Sequence, residues 1–426
     1  MSTFRATALD SYIALQEGYN DHRIRAVLTL SGAVDDVRLQ EALLRSLAAA
    51  PVLACGYEPR GKFGRWIEAG HAIEVDRFYR TLEVSSPNDL AAATAQALAS
   101  PIDQAAGPQF HITRIRCGGR HSLCAVMNHV AMDGSGFKTW LALVARLYSG
   151  TEGAMPACSE RDALRLLEGN AAKRDPGGTG ARRPASALLH APTAAADEVR
   201  LFIWRGRLAD FTALRGKAAD PSGAMPTIND CFMALVLEAC ESAGLEAKSL
   251  SFMIDARRYC VPGVLSPFSN ASSMESIRAP EEGLTRAEQA RRIGRRTREL
   301  KRRAPGLADL RKLRAAASLL PAPAFRYMLH RAMRNAALST TNLGSVDEET
   351  LAFGAIRAED LYFVTALKEE HTLQFSFSSY GGKVAITSYG RYSSSNTDMI
   401  ATVYSKFGPL LEEALQPAPS TSSLLR

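Results

Sequence analysis

Asn128-His129-Val130-Ala131-Met132-Asp133-Gly134 decides the reading of this chain. It follows an apolar run, Leu123-Cys124-Ala125-Val126-Met127, with the length and composition of a buried strand. From Phe137 to Tyr148 the residues Trp140, Leu141, Val144 and Leu147 recur at helical spacing. The histidine therefore stands in a loop between a buried strand and a helix, a common home for catalytic groups. A neutral imidazole, with an ordinary pKa of about 6.5, is a competent general base near neutral pH. Asp133 could orient that imidazole, or lock the loop by pairing with a distant arginine. Gly134 permits backbone turns that other residues resist and removes bulk beside the reacting atoms.

Outward from this stretch the pattern mixes strands and helices. Ile24–Gly32 and His111–Arg116 alternate as strands, and Pro51–Tyr57 is expected to be another. Helices are expected after Val34-Asp35-Asp36, with Leu39, Leu43, Leu44 and Leu47 on one face, and from Pro87 to Leu98. Gly169, Pro176-Gly177-Gly178 and Arg182-Arg183-Pro184 mark a linker. The expected division is an N-terminal lobe over 1–170, a linker over 171–197, a C-terminal lobe over 198–416 and a flexible tail over 417–426. The second half alternates similarly, with a strand at 198–207, helices at 210–218 and 228–243, a basic helix near 284–303, strands near 361–366, 372–379 and 383–389, and a final helix near 395–415.

The 426 residues are 46% hydrophobic, enough for more than one core, since a single core stops growing near ~250–300 residues. A charged share of 22% excludes a globally disordered chain. No apolar run reaches the ~18–20 residues of a membrane span, and Met1–Ala6 lacks a secretory pattern, so a cytoplasmic protein is expected. Seven scattered cysteines with no C-x-x-C pair are expected to be buried free thiols, without a structural zinc site. A net charge of +7 permits an anionic partner. There is no G-x-S-x-G elbow of a serine hydrolase and no glycine-rich phosphate loop.

The motif, here N-H-x-x-x-D-G, resembles the HHxxxDG motif of condensation-domain-like acyltransferases, whose superfamily includes chloramphenicol acetyltransferase. Further landmarks occur in the family's order. Leu30–Asp35 with Leu39 and Ala42-Leu43 is similar to its first strand and helix, and Pro51-Val52-Leu53 to its next strand. Pro226–Asp230 resembles the start of its second half, Met253–Arg258 its D-x-R strand end, and Ser269-Asn270 and Ser339–Gly344 its Asn-bearing loops. There is no D-F-G-W-G segment, which separates the chain from the plant-type branch.

The resemblance implies an α+β fold: two chloramphenicol-acetyltransferase-like lobes, each a mixed β-sheet with flanking helices, around a central tunnel. It implies acyl transfer from a coenzyme A or carrier-protein thioester to an alcohol or amine, ester slightly favoured. His129 would be the general base, with no covalent acyl-enzyme, no tightly bound cofactor and no metal. Asp133 would be structural and paired with Arg257, and Gly134 would line the reaction centre. Ser135, Asn270, Thr341 and Asn342 are candidate tunnel residues. The first histidine of the family motif is Asn128 here, at a position of mainly structural character; asparagine can still donate and accept hydrogen bonds in a buried turn. Alternatives are an amide-forming condensation enzyme of a nonribosomal-peptide-type pathway and a non-catalytic relative that binds a carrier protein or ligand.

The remaining histidines, His22, His71, His111, His121, His190, His330 and His371, carry no motif and are read as structural or surface residues. The basic run holding Arg295, Arg296, Arg302 and Arg303 is either a solvated helix face or a docking surface for an acidic carrier protein or coenzyme A phosphates. No aromatic platform accompanies it, which speaks against nucleic acid. A monomer acting on a small-molecule acceptor is expected.

Overall fold

The structure, a computed structural model, describes residues 3–16, 20–70, 73–151, 160–170, 198–279, 283–302, 314–334, 338–368 and 372–416. The expected linker at 171–197 and tail at 417–426 lie outside them. In chain order the strands are β1 (Thr3–Arg5), β2 (Arg23–Leu30), β3 (Cys55–Arg60), β4 (Phe63–Glu68), β5 (Tyr79–Val84), β6 (Phe110–Cys117), β7 (Arg120–Asn128), β8 (Glu198–Arg207), β9 (Ser249–Asp255), β10 (Ser272–Arg278), β11 (Leu338–Ser345), β12 (Ala352–Phe353), β13 (Ile356–Val364), β14 (Leu373–Tyr380) and β15 (Lys383–Tyr392).

One mixed six-stranded sheet has the order β12-β13-β2-β7-β6-β5, a second β10-β9-β11-β14-β15-β8, and β1-β4-β3 form a small third sheet. Helices Asp36–Ala49 and Gly134–Tyr148 pack on the first sheet through Leu39, Leu43, Phe137 and Trp140. Helices Ile228–Ser242 and Ser394–Leu415 cover the second through Phe232, Leu235, Val403 and Phe407. These are two lobes, each a mixed sheet with flanking helices, as the motif resemblance implied.

Three local details differ from the sequence expectations. Pro51–Ala54 is a 3₁₀ turn, and the strand begins only at Cys55; proline lacks an N–H to give a ladder and suits the first helical turn. The helix after the motif begins at Gly134, not Phe137, because the Asp133 side chain caps it by accepting the Gly136 N–H at 3.0 Å. Finally, β12 and β13, expected within the second lobe at 198–416, join the first lobe's sheet, where β13 pairs antiparallel with β2. This satisfies backbone groups on the free side of β2 that would otherwise form an open edge. Thr387 of β15 donates to the Phe363 carbonyl at 2.7 Å and Tyr380 of β14 to the Ala358 carbonyl at 2.9 Å, so β13 also holds the lobes together.

Candidate active site

β7 is central in its sheet and buried over almost its whole length, so its last residue delivers the motif to a fixed place between the lobes. Asn128 ends the strand. Its Nδ2 donates to Gln109 Oε1 at 2.6 Å, and its Oδ1 accepts the Val130 N–H at 3.0 Å. The Ala131 N–H returns to the Asn128 carbonyl at 3.0 Å. Asn128 thus shapes the turn with both ends of its amide. The loop carbonyls are also tied: Asn270 Nδ2 donates to that of Val130 at 2.9 Å and Arg161 Nη2 to that of Ala131 at 2.6 Å.

Asp133 closes the loop and is 1% exposed. Its Oδ2 accepts from Arg257 Nη1 at 2.9 Å, the Ala271 N–H at 2.8 Å and Ser272 Oγ at 3.0 Å, while Oδ1 takes the Gly136 N–H. Burial alone would raise its pKa; the Arg257 guanidinium and the backbone donors outweigh it and hold the carboxyl below its ordinary value. Arg257 lies in the turn Ala256–Tyr259 after β9 and also donates to the Ser269 carbonyl at 2.6 Å and to Asp255 at 3.2 Å. The pair spans 124 residues and ties the first lobe's motif to the second lobe. With its acceptor sites engaged this way, Asp133 both pairs with Arg257 and caps the helix that follows the loop.

His129 is thereby held at the seam of the lobes. Its N–H donates to the His22 carbonyl at 2.7 Å, and its half-buried ring keeps Nδ1 enclosed, with no hydrogen-bond partner among the described residues. Burial pushes its pKa below the ordinary 6.5, helped by the charge of Lys368. Its own carbonyl, the Asp133 carboxylate and Asn270 oppose this without reversing it. The ring is neutral at neutral pH, as a general base requires.

Gly134 meets β11. A Cβ built there would lie 2.2 Å from Leu343 Cδ2, so any larger residue would have to turn the leucine tip aside. Ser135 is half-buried in the first turn of the helix, its carbonyl accepting from Thr139. Thr341 and Asn342 lie half-buried on β11, and Asn342 Oδ1 takes the Gly344 N–H at 2.7 Å, shaping the bulge that presents Leu343. Asn270 is fully buried; its Nδ2 bridges Asp10 Oδ1 and the Val130 carbonyl, both at 2.9 Å. Arg295, Arg296 and Arg302 are exposed on the helix Arg286–Arg302, which packs on Ile228–Ser242 through Thr297 and Asp230; Arg303 lies outside the described residues.

Sequence reasoning missed a buried hub behind the loop. Asp10 is 0% exposed and accepts from Trp66 Nε1 at 3.1 Å, Arg161 Nη1 at 2.9 Å and Asn270. The capping box Thr7–Asp10 was its visible signal. His22, read from the sequence as a structural or surface residue, is buried against the motif. A cavity of about 690 Å³ lies beyond the hub, walled by Phe4, Val52, Phe63, Arg161 and Phe268, and His129 is not part of its lining. Among the described residues no cluster of His, Cys, Asp or Glu could hold a metal, six cysteines are buried and free, and no helix is long and apolar enough to cross a membrane.

Residues 284–395 match the family model "WS/DGAT C-terminal domain". No curated protein matches the chain. Among solved structures, the first condensation domain of the CDA synthetase aligns with a TM-score of 0.66 at 17% identity, covering 97% of each chain. The condensation domain of the Monacolin K polyketide synthase MokA aligns at 0.63 and 13%, covering 98% of each. Polyketide synthase associated protein 5 from Mycobacterium tuberculosis aligns at 0.62 and 13%, covering 96% of this chain and 98% of the other. The chain therefore has the condensation-domain fold over essentially its whole length, within the chloramphenicol-acetyltransferase-like class.

Proposed function

We propose that this chain is a condensation-type acyltransferase that moves an acyl group from a coenzyme A or carrier-protein thioester to an alcohol or amine. The observation that carries the reading is a neutral imidazole held at the lobe seam by a loop that Asp133, Arg257 and Asn128 fix in place. His129 takes the proton of the acceptor as its oxygen or nitrogen attacks the thioester carbonyl. The tetrahedral adduct then expels the thiolate, which recovers a proton, and no acyl-enzyme forms. General-base catalysis of this kind contributes about 10²–10⁴-fold.

The match to WS/DGAT, a family of wax-ester and diacylglycerol acyltransferases, favours an ester product. The structural likeness to condensation domains is what supports the amide-forming alternative. A binding-only relative is disfavoured by Asn128, because its amide performs the turn-holding task of the missing histidine and leaves His129 in place. Exposed Arg295, Arg296 and Arg302 suit an acidic carrier protein or coenzyme A phosphates.

The test is to incubate purified protein with acyl-coenzyme A donors of graded chain length and a panel of alcohols and amines. Thiol release and product mass are followed together. Thiol release that requires the acceptor, with an ester or amide of matching mass, is the expected result. Silence with every donor, including carrier-bound ones, would leave the binding module as the reading.

A further inference from the structure

Two buried carboxylates hold the motif loop, and only one of them belongs to the motif. Asp133, paired with Arg257, fixes its far end. Asp10, in the helix Ala8–Ala14, stands behind its middle and is fully buried. A carboxylate taken out of water needs a cation and further donors. Asp10 Oδ2 accepts from Arg161 Nη1 at 2.9 Å, Trp66 Nε1 at 3.1 Å and the Thr7 N–H at 3.1 Å. Its Oδ1 accepts from Asn270 Nδ2 at 2.9 Å and Arg161 Nη2 at 3.4 Å.

Two of these donors also reach the loop. Asn270 Nδ2 gives one hydrogen to Asp10 and the other to the Val130 carbonyl, at 2.9 Å each. Arg161 Nη1 faces Asp10 while Nη2 meets the Ala131 carbonyl at 2.6 Å, and Nε donates to the Phe268 carbonyl at 3.1 Å. An amide and a guanidinium are planar, so the hydrogens aimed at Asp10 set the direction of those aimed at the loop. Three successive peptide planes follow His129. Asn128 Oδ1 holds the first through the Val130 N–H, Asn270 holds the second and Arg161 the third. The last two are therefore anchored on Asp10. A reacting group must be held within about 0.5 Å of its productive position, and these planes decide where the chain carrying His129 lies.

We propose that Asp10 is a positioning residue for His129, acting through Asn270 and Arg161 on the second and third peptide planes beyond it. That His129 serves as a base rests on the acyltransferase reading; the positioning of its imidazole does not.

The test reads His129 both with and without turnover. Diethyl pyrocarbonate modifies neutral imidazole, so its rate at His129 across pH, followed by peptide mass spectrometry, reports the pKa that burial holds below 6.5. Asp10→Asn should loosen the loop, let water reach the imidazole and move that value up toward 6.5. In acyl transfer its kcat should fall by about 10–10²-fold with KM little changed. Arg161→Lys keeps a cation for Asp10, which protects the fold, but offers one nitrogen where the guanidinium uses two. It should move both readouts in the same direction. Thr227→Ala removes the cap of the distant helix Ile228–Ser242 and should lower Tm while changing neither. A folded Asp10→Asn or Arg161→Lys protein with a wild-type His129 titration and wild-type kcat would overturn the proposal, as would the same shift in Thr227→Ala. A titration that shifts in Asp10→Asn, in a protein that transfers no acyl group, would refute the proposed function and leave the positioning role standing.

Discussion

Asp133→Asn keeps the shape of the side chain and removes its charge. The buried oxygens of Asp133 receive four donors, from Arg257, Ala271, Ser272 and Gly136. An asparagine keeps one acceptor oxygen and turns an NH₂ toward donors. Removing one partner of a buried ion pair costs about 3–5 kcal/mol; the lower end applies, because Arg257 keeps the Ser269 carbonyl and Asp255. Unfolding entropy near 2.1 cal/mol/K per residue gives roughly 0.9 kcal/mol/K for 426 residues, so Tm should fall by about 3 °C. Scanning calorimetry of Asp133→Asn, Arg257→Met and the double variant reads this directly. The double variant should lose less than the sum of the single ones, by about 1–3 kcal/mol. The sign of the pH dependence follows from the depressed carboxyl of Asp133. Its stabilisation is complete above the ordinary carboxylate pKa and is lost as pH falls through the lowered folded value. A Tm within about 1 °C of wild type, or strictly additive losses, would refute the lock.

Three further outcomes are expected. Gly134→Ala drives a Cβ to 2.2 Å from Leu343 Cδ2 and should cost about 1–3 kcal/mol; Leu343→Ala in the same chain should restore part of that in a denaturant titration, whereas no rescue would place the strain elsewhere. Asn128→Ala removes the bonds to Gln109 and Val130 and should cost about 1–3 kcal/mol with reduced turnover; an unaffected Tm would mean the turn holds without its amide. Because burial lowers the His129 pKa, the acid limb of kcat/KM should fall below the ordinary imidazole value of 6.5, and a limb above it would contradict a desolvated base.

The sequence made the motif loop legible because its parts are local: an apolar strand, five loop residues, an amphipathic helix. It also showed both members of the Asp133–Arg257 pair as strand-end residues, although their meeting came only through the resemblance. What stayed hidden is long-range. Asn270 and Asp10 are 260 residues apart, and no spacing announces that a capping carboxylate at a helix start is also the partner of a loop amide. β13 shows its alternation, but alternation identifies a strand without saying which sheet it joins, and it pairs with β2 more than 300 residues away. His22 looked ordinary because a left-handed φ leaves no composition signal at a non-glycine residue.

The most direct measurement is acceptor-dependent thiol release from an acyl thioester by wild type and His129→Ala, each shown by its melting curve to be folded. The variant should bind donor normally while its turnover falls by at least about 10²-fold. Turnover that persists in a folded His129→Ala protein would show that His129 is not the base that removes the acceptor's proton.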